Sequence, residues 1–304
     1  METNIDQVME LRGFNRLYTE ILGILQNKVY ESEYSLSETR ILYEISKGEH
    51  SVASELCKAI HVDPGYMSRI IKKFEKQGLV ERIQGIDARN MEIRLTPKGQ
   101  ELFHTLEQRA NRQISDLLKK LGEQEREELV RSVAKVKKYL MKATSSLKIR
   151  EYIKGDERYI IDRQLSLYES ERHFTSEVWK SYLKNGVREM LDYFRKDRDA
   201  IFILENNGVK VGCAAIKHDS EDVAQFRYFF VEPELRGIGA GRMLLTKALD
   251  FCREKGYKHV FLWTVSAQES ARRLYANFGF EMTQNHEDNS WGVPVLEERW
   301  DMDL

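Results

Sequence analysis

The stretch that decides the fold of the second half of this chain runs from Gln225 to Leu245 and has the sequence QFRYFFVEPELRGIGAGRMLL. Its first seven residues are mostly aromatic or apolar, which predicts a buried strand. Its last residues predict the start of a helix. Three glycines stand at alternate positions between these two elements, namely Gly237, Gly239 and Gly241. A glycine-rich turn between a strand and a helix is therefore the central feature of this half.

This turn is suited to binding an anion. Glycines let backbone amides converge on one point, and the dipole of the following helix adds positive potential there. We therefore expect a pyrophosphate as the ligand. The spacing Gly237-x-Gly239-x-x-Arg242 lacks the third small residue of the dinucleotide pattern, and the chain contains no Gly-Lys-Ser/Thr phosphate loop. These two differences disfavour NAD and ATP.

The surrounding segments alternate between strands and helices. Strands are predicted at Leu147–Tyr152, Ala200–Glu205, Val209–Lys217 and Lys258–Thr264, and helices at Asp156–Tyr168 and Ser176–Arg195. The sequence Asn206-Asn207-Gly208 is a strong signal for a hairpin turn between two of these strands. A mixed α/β fold follows from this order.

Two motifs resemble those of the GNAT family of N-acetyltransferases. One is Arg236-x-x-Gly239-x-Gly241, which is similar to the acetyl-CoA pyrophosphate loop of that family. The other is Ala271-x-x-Leu274-Tyr275-x-x-Phe278-Gly279-Phe280, on a predicted helix. The resemblance runs from about Lys148 to Trp300. It implies an α/β GNAT acyltransferase domain with a mixed, splayed sheet, acetyl-CoA as the acyl donor, and no metal.

The resemblance also implies which residues bind the acyl donor. The strands carrying Phe229–Val231 and Val260–Thr264 are expected to splay apart and to bind the pantetheine arm as an added strand. The expected acetyl-CoA-binding residues are Phe229, Phe230, Val231, Arg236, Gly237, Ile238, Gly239, Ala240, Gly241, Arg242 and Asn277. Tyr275 lies at the general-acid position of the family, where its hydroxyl would protonate the departing thiolate.

The general base stays open at this point. The strand before the loop offers no carboxylate, although members of the family commonly have one there. Glu171 and Glu232 are the candidate catalytic carboxylates, Glu269 is a further candidate, and a water molecule that relays the proton would need none of them. The aromatic residues that could line an acceptor pocket are Tyr168, Phe174, Trp179, Trp263 and Trp291.

In the first half, one predicted helix has a basic face. Pro64 follows Asp63, which is typical of a helix start. Apolar residues recur with helical spacing at Met67, Ile70, Ile71 and Phe74, and the other face has Tyr66, Ser68, Arg69, Lys72, Lys73 and Lys76. Upstream, Ser35 and Glu38 form a capping-box pattern, and Ser51 is expected to cap a second short helix. Two short helices therefore precede the basic one.

A hairpin follows the basic helix. Leu79–Ile83 and the alternating segment Met91–Leu95 predict antiparallel strands, so Gln84–Asn90 forms the tip, or wing. Thr96-Pro97-Lys98-Gly99 predicts another helix start. A basic helix suits a major groove, and an arginine on a thin loop suits the narrower minor groove.

From Leu36 to Phe103 the chain resembles the MarR family of winged-helix regulators. The resemblance rests on Leu56, on Tyr66–Arg82, on Asp87 and Arg89 in the wing, and on Leu95–Gly99. It implies a mainly α winged helix-turn-helix domain that binds double-stranded DNA. The implied DNA-binding residues are Tyr66, Ser68, Arg69, Lys72, Lys73 and Arg89, with Arg89 in the minor groove.

Long apolar stripes flank the winged unit. Ile5–Tyr30 has helical spacing, a second stripe runs from Leu102 to Leu121, and a third from Leu129 to Leu140. One small winged unit cannot bury all of them, which favours a helical interface between two copies of the chain. The MarR resemblance agrees, because that family forms homodimers. An intramolecular helical bundle is the alternative.

Length and composition agree with two domains. A chain of 304 residues that is 41% hydrophobic and 32% charged is typical of globular protein rather than of disordered or membrane protein. The net charge of -1 combines four surplus positive charges in residues 1–150 with five surplus negative charges in 151–304, which weakly favours polyanions as partners of the first half only. Three cysteines that never form CxxC argue against disulfides and a zinc site.

These observations predict two domains and a cytoplasmic location with no membrane segment. Residues 1–145 are expected to form the winged-helix DNA-binding and dimerisation domain, and residues 146–304 the GNAT domain. The expected function is a bifunctional transcriptional regulator and acetyl-CoA-dependent N-acetyltransferase that acts on a primary amine of a small molecule. A non-catalytic sensor of acetyl-CoA or an amine, and a protein-lysine acetyltransferase, are the alternatives. The intact glycine loop and Tyr275 favour turnover over a sensor.

Overall fold

The computed structural model describes residues 4–23, 32–47, 52–84 and 91–304. The chain divides into two compact units, Met1–Ser132 and Val133–Leu304. Helix α6, numbered in chain order, spans Glu123–Thr144 and is continuous across that division. The domain boundary expected at 145/146 falls just after the end of this helix and stays a prediction.

The first unit is helical with one hairpin. Its other helices are α1 (Ile5–Ile21), α2 (Leu36–Lys47), α3 (Ala53–Ile60), α4 (Pro64–Lys76) and α5 (Pro97–Leu118), and strand β1 (Val80–Gln84) pairs antiparallel with β2 (Met91–Leu95). Leu22 and Gly23 form a turn in which Gly23 has a φ of 67°, so α1 ends before them. The rest of the stretch expected to be helical, residues 24–30, lies outside the described residues. The cap expected at Ser51 and most of the wing, residues 85–90, lie outside the described residues.

An apolar core joins α2, α3, α4 and the hairpin. Among its buried residues are Ile41, Leu42, Leu56, Met67, Ile71, Phe74 and Ile93. The Ser35 amide donates to Glu38 Oε2 at 2.9 Å and the Glu38 amide donates to Ser35 Oγ at 3.3 Å, which confirms the capping box. Asp63 caps α4 and Thr96 caps α5 through side-chain oxygens, so both helices begin at the prolines that predicted them.

The second unit contains one seven-stranded sheet and four further helices. Its elements are β3 (Leu147–Glu151), α7 (Asp156–Arg172), α8 (Glu177–Asp192), β4 (Ala200–Asn206), β5 (Val209–His218), β6 (Val223–Val231), α9 (Ala240–Glu254), β7 (His259–Val265), α10 (Glu269–Phe278), β8 (Glu281–Asp288) and β9 (Val295–Asp303). The strand order is β3-β4-β5-β6-β7-β9-β8. The β6–β7 pair is parallel and the other neighbours are antiparallel, so the sheet is mixed.

Each face of this sheet has its own apolar core. On one face α9 and α10 pack on the strands through residues such as Leu244, Leu245 and Tyr275. On the other face α7 and α8 pack through residues such as Ile160 and Leu183. The strands between the two layers are therefore buried from both sides, which is why β4 and β5 consist of nearly continuous apolar residues.

Candidate functional site

The two parallel strands of the sheet diverge along their length. Pairing between β6 and β7 ends with Phe226 opposite Leu262. Beyond this point β6 continues to Val231 paired with β5, and β7 continues to Val265 paired with β9. Within the described sheet, a gap therefore opens between β6 and β7. The backbone groups on its two edges have no strand partner across the gap.

A β-bulge in β6 lies where the gap begins. The pairs on either side of the bulge are Ala215 with Arg227 and Cys213 with Phe230. Tyr228 and Phe229 thus face a single residue of β5, and Tyr228 has a φ of 52°, a region that large residues rarely adopt. The bulge begins only after Arg227, one residue beyond the last β6 residue that pairs with β7. Val260–Leu262, which we expected to border the gap, consequently remain paired with β6, and the gap on β7 begins at Trp263.

The glycine turn lies directly after β6. Gly237 and Gly239 have φ values of 76° and 104°, and α9 begins at Ala240 with Gly239 as its cap. In α9, the amide of Met243 donates to Gly239 O in the preceding turn at 3.0 Å. The amides of Ala240, Gly241 and Arg242 precede it in the first helical turn, where amides have no partner inside a helix. This turn therefore presents amides to an anion.

Gly241 and Gly239 differ in the space around them. A Cβ at Gly241 would lie 3.3 Å from the Phe229 ring and 3.4 Å from Leu274. A side chain there would require Phe229 and Leu274 to shift by a few tenths of an ångström. At Gly239 a Cβ would meet no described atom within 4 Å, so space is open beside this residue. Open space beside converging amides is what a phosphate group needs.

The side chain of Arg236 links three elements. Its Nε donates to Val231 O at 2.9 Å, and its Nη2 lies 2.8 Å from Glu171 Oε1. Glu171, one of the two carboxylates that we considered as a base, is therefore the counter-ion of the loop arginine. The guanidinium fixes the end of α7 to the end of β6 and to the glycine turn.

Glu232, the second candidate base, has a bidentate partner. Arg163 Nε donates to Glu232 Oε1 at 2.7 Å and Arg163 Nη2 donates to Oε2 at 2.5 Å. Both side chains are only 12% exposed. Both carboxylate oxygens of Glu232 are therefore already bonded to Arg163. Glu269 is exposed in the first turn of α10.

Tyr275 lies in an aromatic pocket beside the gap. Its ring centre is 6.0 Å from that of Phe229 and 6.2 Å from that of Phe226. Burial, with a smaller contribution from Tyr168, raises the pKa of the Tyr275 hydroxyl well above its ordinary value. The hydroxyl is therefore protonated throughout the neutral range, which a proton donor requires. Asn277, expected to contact the acyl donor, is exposed near the end of the same helix.

Aromatic side chains gather on the α7 and α8 side of the gap. Ring centres are 4.6 Å apart for Trp179 and Trp291, 5.0 Å for Tyr168 and Trp179, and 5.6 Å for Phe174 and Trp291. Four of the five aromatic residues proposed for an acceptor pocket thus form one cluster. Trp263 is separate from this cluster. It lies on β7, and its ring contacts the ring of His286 on β8.

Sequence reasoning missed the polar side of this cluster. Arg227 Nη2 donates to the Tyr182 hydroxyl at 3.3 Å. A Cβ at Gly186 would lie 2.9 Å from the Tyr228 hydroxyl and 3.3 Å from Arg227 Nη2. The spacing of Trp179, Tyr182 and Gly186 on one helical face was the only available signal, and it does not identify the strand residues opposite.

In the first unit, α4 presents most of the expected DNA-binding side chains. Ser68, Arg69 and Lys72 are exposed, and Tyr66 is half-buried beneath the Arg69 guanidinium. Lys73 differs, because its Nζ lies 2.7 Å from Oε1 of the buried Glu38. The positive charge of Lys73 is therefore largely compensated by the carboxylate of Glu38. Arg89 lies outside the described residues.

Two further observations concern metals and membranes. In the described part of the chain, His286, Asp288 and Glu297 bring possible ligand atoms within 4.8 Å of one another. His286 and Glu297 already form an ion pair at 3.3 Å, which accounts for their proximity. None of the described helices combines the length and the apolar character that crossing a bilayer requires.

Comparison with known proteins identifies both units. The model of the GNAT acetyltransferase family matches residues 165–280, and that of the MarR family matches residues 34–90. An uncharacterised N-acetyltransferase of Archaeoglobus fulgidus is 31% identical over 108 residues, which cover 32% of this chain and 74% of the relative. The chain belongs to the GNAT family of acetyltransferases and contains a MarR family domain before the GNAT domain.

Other relatives cover similar segments. An uncharacterised N-acetyltransferase of Methanocaldococcus jannaschii is 32% identical over 141 residues, and the match spans 44% of this chain and 60% of the relative. A GNAT acetyltransferase structure from Staphylococcus aureus is 20% identical with a TM-score of 0.44, covering 52% of this chain and 99% of that one. The yncA structure from Salmonella typhimurium, solved with its cofactor acetyl-CoA, is 19% identical with a TM-score of 0.44, covering 52% and 94%.

Proposed function

We propose that this chain is a DNA-binding transcriptional regulator joined to an enzyme that transfers the acetyl group of acetyl-CoA to a primary amine of a small molecule. The observation that carries the enzymatic half is the gap between β6 and β7, which opens beside a glycine turn and the buried hydroxyl of Tyr275. The DNA-binding half rests on the exposed polar and basic face of α4.

The residues around the gap fit acetyl-CoA. Backbone groups of Phe229–Val231 would hydrogen-bond the pantetheine arm as an additional strand, because β7 does not pair with them. Amides from Gly237 to Arg242 would bind the diphosphate with the help of the α9 dipole. The thioester would then lie in the gap near the bulge.

The transfer makes one bond and breaks one bond. A neutral amine attacks the thioester carbonyl carbon, a C–N bond forms, and the C–S bond breaks. Tyr275 donates its proton to the departing thiolate and regains a proton from solvent. The oxyanion formed on the carbonyl oxygen needs a hydrogen-bond donor, and the backbone amides of β6 at the bulge are suitable.

The proton released by the amine needs an acceptor. Glu171 and Glu232 are each paired with an arginine, and Glu269 is solvated on the outside of α10. Because the oxygens of Glu171 and Glu232 already contact arginines, we favour a water molecule that carries the proton to solvent. A dedicated carboxylate would require one of the pairs to open first.

Dimerisation would complete the DNA-binding half. Helix α1 exposes a row of large apolar residues, namely Ile5, Val8, Met9, Leu11, Phe14, Leu17, Tyr18 and Ile21. Helix α6 likewise exposes Val130, Val133 and Tyr139, which are 58%, 51% and 68% exposed. Such surfaces favour association with a second copy, which would place two α4 helices on two half-sites of cytoplasmic double-stranded DNA.

One assay tests the enzymatic proposal. Acetyl-CoA-dependent release of CoA would be measured with amines, amino acids and lysine peptides as acceptors. Release with a small amine and none with peptides supports the proposal. Release with peptides alone would identify a protein-lysine acetyltransferase, and acetyl-CoA binding without release would identify a sensor.

A further inference from the structure

The part of the acceptor side nearest the bulge consists of one stripe of α8 and two residues of β6. Trp179, Tyr182 and Gly186 recur at intervals of three and four residues, so they share one helical face. Arg227 and Tyr228 lie opposite this face, because Arg227 bonds to Tyr182 and both β6 side chains approach Gly186. Arg227 also directly follows Phe226, the last residue of β6 that pairs with β7. Its guanidinium therefore lies beside the gap in which the thioester would bind.

Arg227 is held in place by aromatic groups rather than by a counter-ion. The centre of its guanidinium lies 4.9 Å from the Tyr228 ring centre and 6.0 Å from that of Tyr182. The nearby carboxylate of Glu189 is paired with Lys217 at 3.0 Å. Among the described residues, no carboxylate oxygen lies within 4.0 Å of the Arg227 guanidinium. Glu189 interacts with Arg227 at longer range and is itself paired with Lys217.

The neighbouring buried groups are donors as well. Trp179 Nε1 and the Tyr228 hydroxyl are buried and, within the described chain, have no hydrogen-bond partner. Their side chains are only 4% and 7% exposed. An indole nitrogen can only donate, and a phenol donates readily. Burial also raises the pKa of Tyr228 to about 12, which keeps its hydroxyl protonated.

A guanidinium with no carboxylate in contact is complementary to an acidic oxygen group. A carboxylate can accept two parallel hydrogen bonds from it. Tyr182 is 54% exposed and its hydrogen bond to Arg227 is long, so a ligand oxygen could replace it. A simple alkylamine would bring no group that can accept these hydrogen bonds.

We propose that the acceptor is a primary amine that also bears a carboxylate, as an amino acid does, and that Arg227 binds this carboxylate. The inference rests on the proposed acetyl transfer and adds the chemical class of the acceptor. Arg227 would orient the amine by pairing with the carboxylate while the amine faces the thioester. It thus determines specificity and takes no part in proton transfer.

The test compares acceptors that differ only in the carboxylate. The wild-type chain would be assayed for CoA release with the standard amino acids and with the corresponding decarboxylated amines, such as phenylalanine with phenethylamine and leucine with isoamylamine. We expect release with amino acids, and a KM that rises about tenfold to a hundredfold in Arg227→Gln while kcat changes less. Arg227→Lys should recover part of the affinity, because it keeps the charge without the bidentate geometry.

A matched control separates this effect from a general loss of positive charge around α8. Lys180 on α8 pairs with Glu177 at the surface, so Lys180→Gln should leave the KM values unchanged. Acetyl-CoA affinity, measured by calorimetry, should be equal in wild type, Arg227→Gln and Lys180→Gln, which verifies the fold. Equal use of decarboxylated amines by wild type, or unchanged KM values in Arg227→Gln, would overturn the inference while leaving acetyl transfer intact.

Calorimetry also distinguishes the two proposals if turnover is absent. Amino acids would then be titrated into the CoA-bound wild type and the CoA-bound Arg227→Gln variant. Binding that depends on Arg227 without any CoA release supports the carboxylate site and contradicts the proposed transferase. Absence of such binding overturns the carboxylate site as well.

Discussion

At the scale of single residues, Tyr275 is the group on which the proposed chemistry depends most directly. Its ring lies among Phe226, Phe229 and Phe280, and its hydroxyl is desolvated. Desolvation disfavours the phenolate, so the proton stays on the hydroxyl until a stronger base appears next to it. A departing thiolate is such a base.

We therefore expect Tyr275→Phe to lower kcat for acetyl transfer by about a hundredfold to ten-thousandfold, the usual contribution of a positioned acid. The affinity for acetyl-CoA should change little, because the ring and its packing remain. Stopped-flow or steady-state CoA release over pH 6 to 9 provides the measurement. An unchanged rate across this range would exclude Tyr275 as the proton donor.

Two adjacent lysines on α4 should behave differently. Lys72 is exposed, so Lys72→Gln should weaken DNA binding and reduce the slope of log affinity against log salt by about one. Lys73 pairs with the buried Glu38, so Lys73→Gln should instead lower the free energy of unfolding by about 0.5 to 1.5 kcal/mol. This is less than a fully buried pair would contribute, because Lys73 is 42% exposed and solvent screens the interaction.

Fluorescence anisotropy with duplex DNA at several salt concentrations and urea unfolding would measure the two effects. Arg69→Ala, on the same exposed face as Lys72, should weaken DNA binding without affecting stability. If Lys73→Gln altered the salt slope as much as Lys72→Gln and left stability unchanged, the Glu38 pairing would be irrelevant in solution.

At the scale of elements, a network of charged and polar side chains joins β7, β9 and β8 at one edge of the sheet. Asp301 on β9 accepts hydrogen bonds from Arg299, Thr283 and His259. Burial raises the pKa of Asp301, but these partners outweigh burial and bring the pKa down to about 2. The ordinary value for an unfolded aspartate is about 3.9.

A lowered pKa stabilises the fold at pH values above the unfolded pKa and stops doing so as the pH falls through the folded pKa. Asp301 should thus contribute about 2 to 3 kcal/mol near neutral pH, lost between about pH 4 and pH 2. Asp301→Asn should reduce stability at pH 7 and show a weaker pH dependence in this window, measured by urea unfolding. Parallel pH profiles for the two proteins would contradict this role.

The same scale shows what sequence patterns could predict. Caps and turns depend on residues a few positions apart, so the Ser35–Glu38 box, the proline helix starts and the Asn207–Gly208 turn were all predictable. The bulge at Tyr228 and the Lys73–Glu38 pair depend on residues from distant parts of the chain. Periodicity contains no information about such partners, so the pattern of α4 does not distinguish Lys72 from Lys73 and does not point to Arg227.

At the scale of the whole molecule, one helix connects the two units. Helix α6 extends from Glu123 to Thr144, and the division between the units falls within it, at 132/133. A continuous helix is stiffer than a flexible linker, so we expect ligand binding in one unit to affect the other.

Saturating duplex DNA should accordingly change the acetyl-CoA dissociation constant by about fivefold or more. By thermodynamic linkage, acetyl-CoA must change the DNA dissociation constant by the same factor. Calorimetry and anisotropy on the full chain measure the two quantities independently. Identical acetyl-CoA affinities with and without DNA would mean that the two units act separately.

The account depends above all on the glycine turn binding the diphosphate of acetyl-CoA. Gly239 in the turn and Gly208 in the β4–β5 hairpin both have a positive φ and no described atom within 4 Å of an added Cβ. Either alanine variant should therefore suffer similar backbone strain. Only Gly239→Ala alters the amides that would bind phosphate.

The decisive measurement is calorimetric titration of acetyl-CoA into the full-length wild type, Gly239→Ala and Gly208→Ala. We predict saturable binding to wild type and Gly208→Ala with equal affinity, and about tenfold weaker binding to Gly239→Ala. Absence of heat with wild type at millimolar acetyl-CoA, or equal affinity in all three proteins, would contradict the claim that this turn holds the acyl donor.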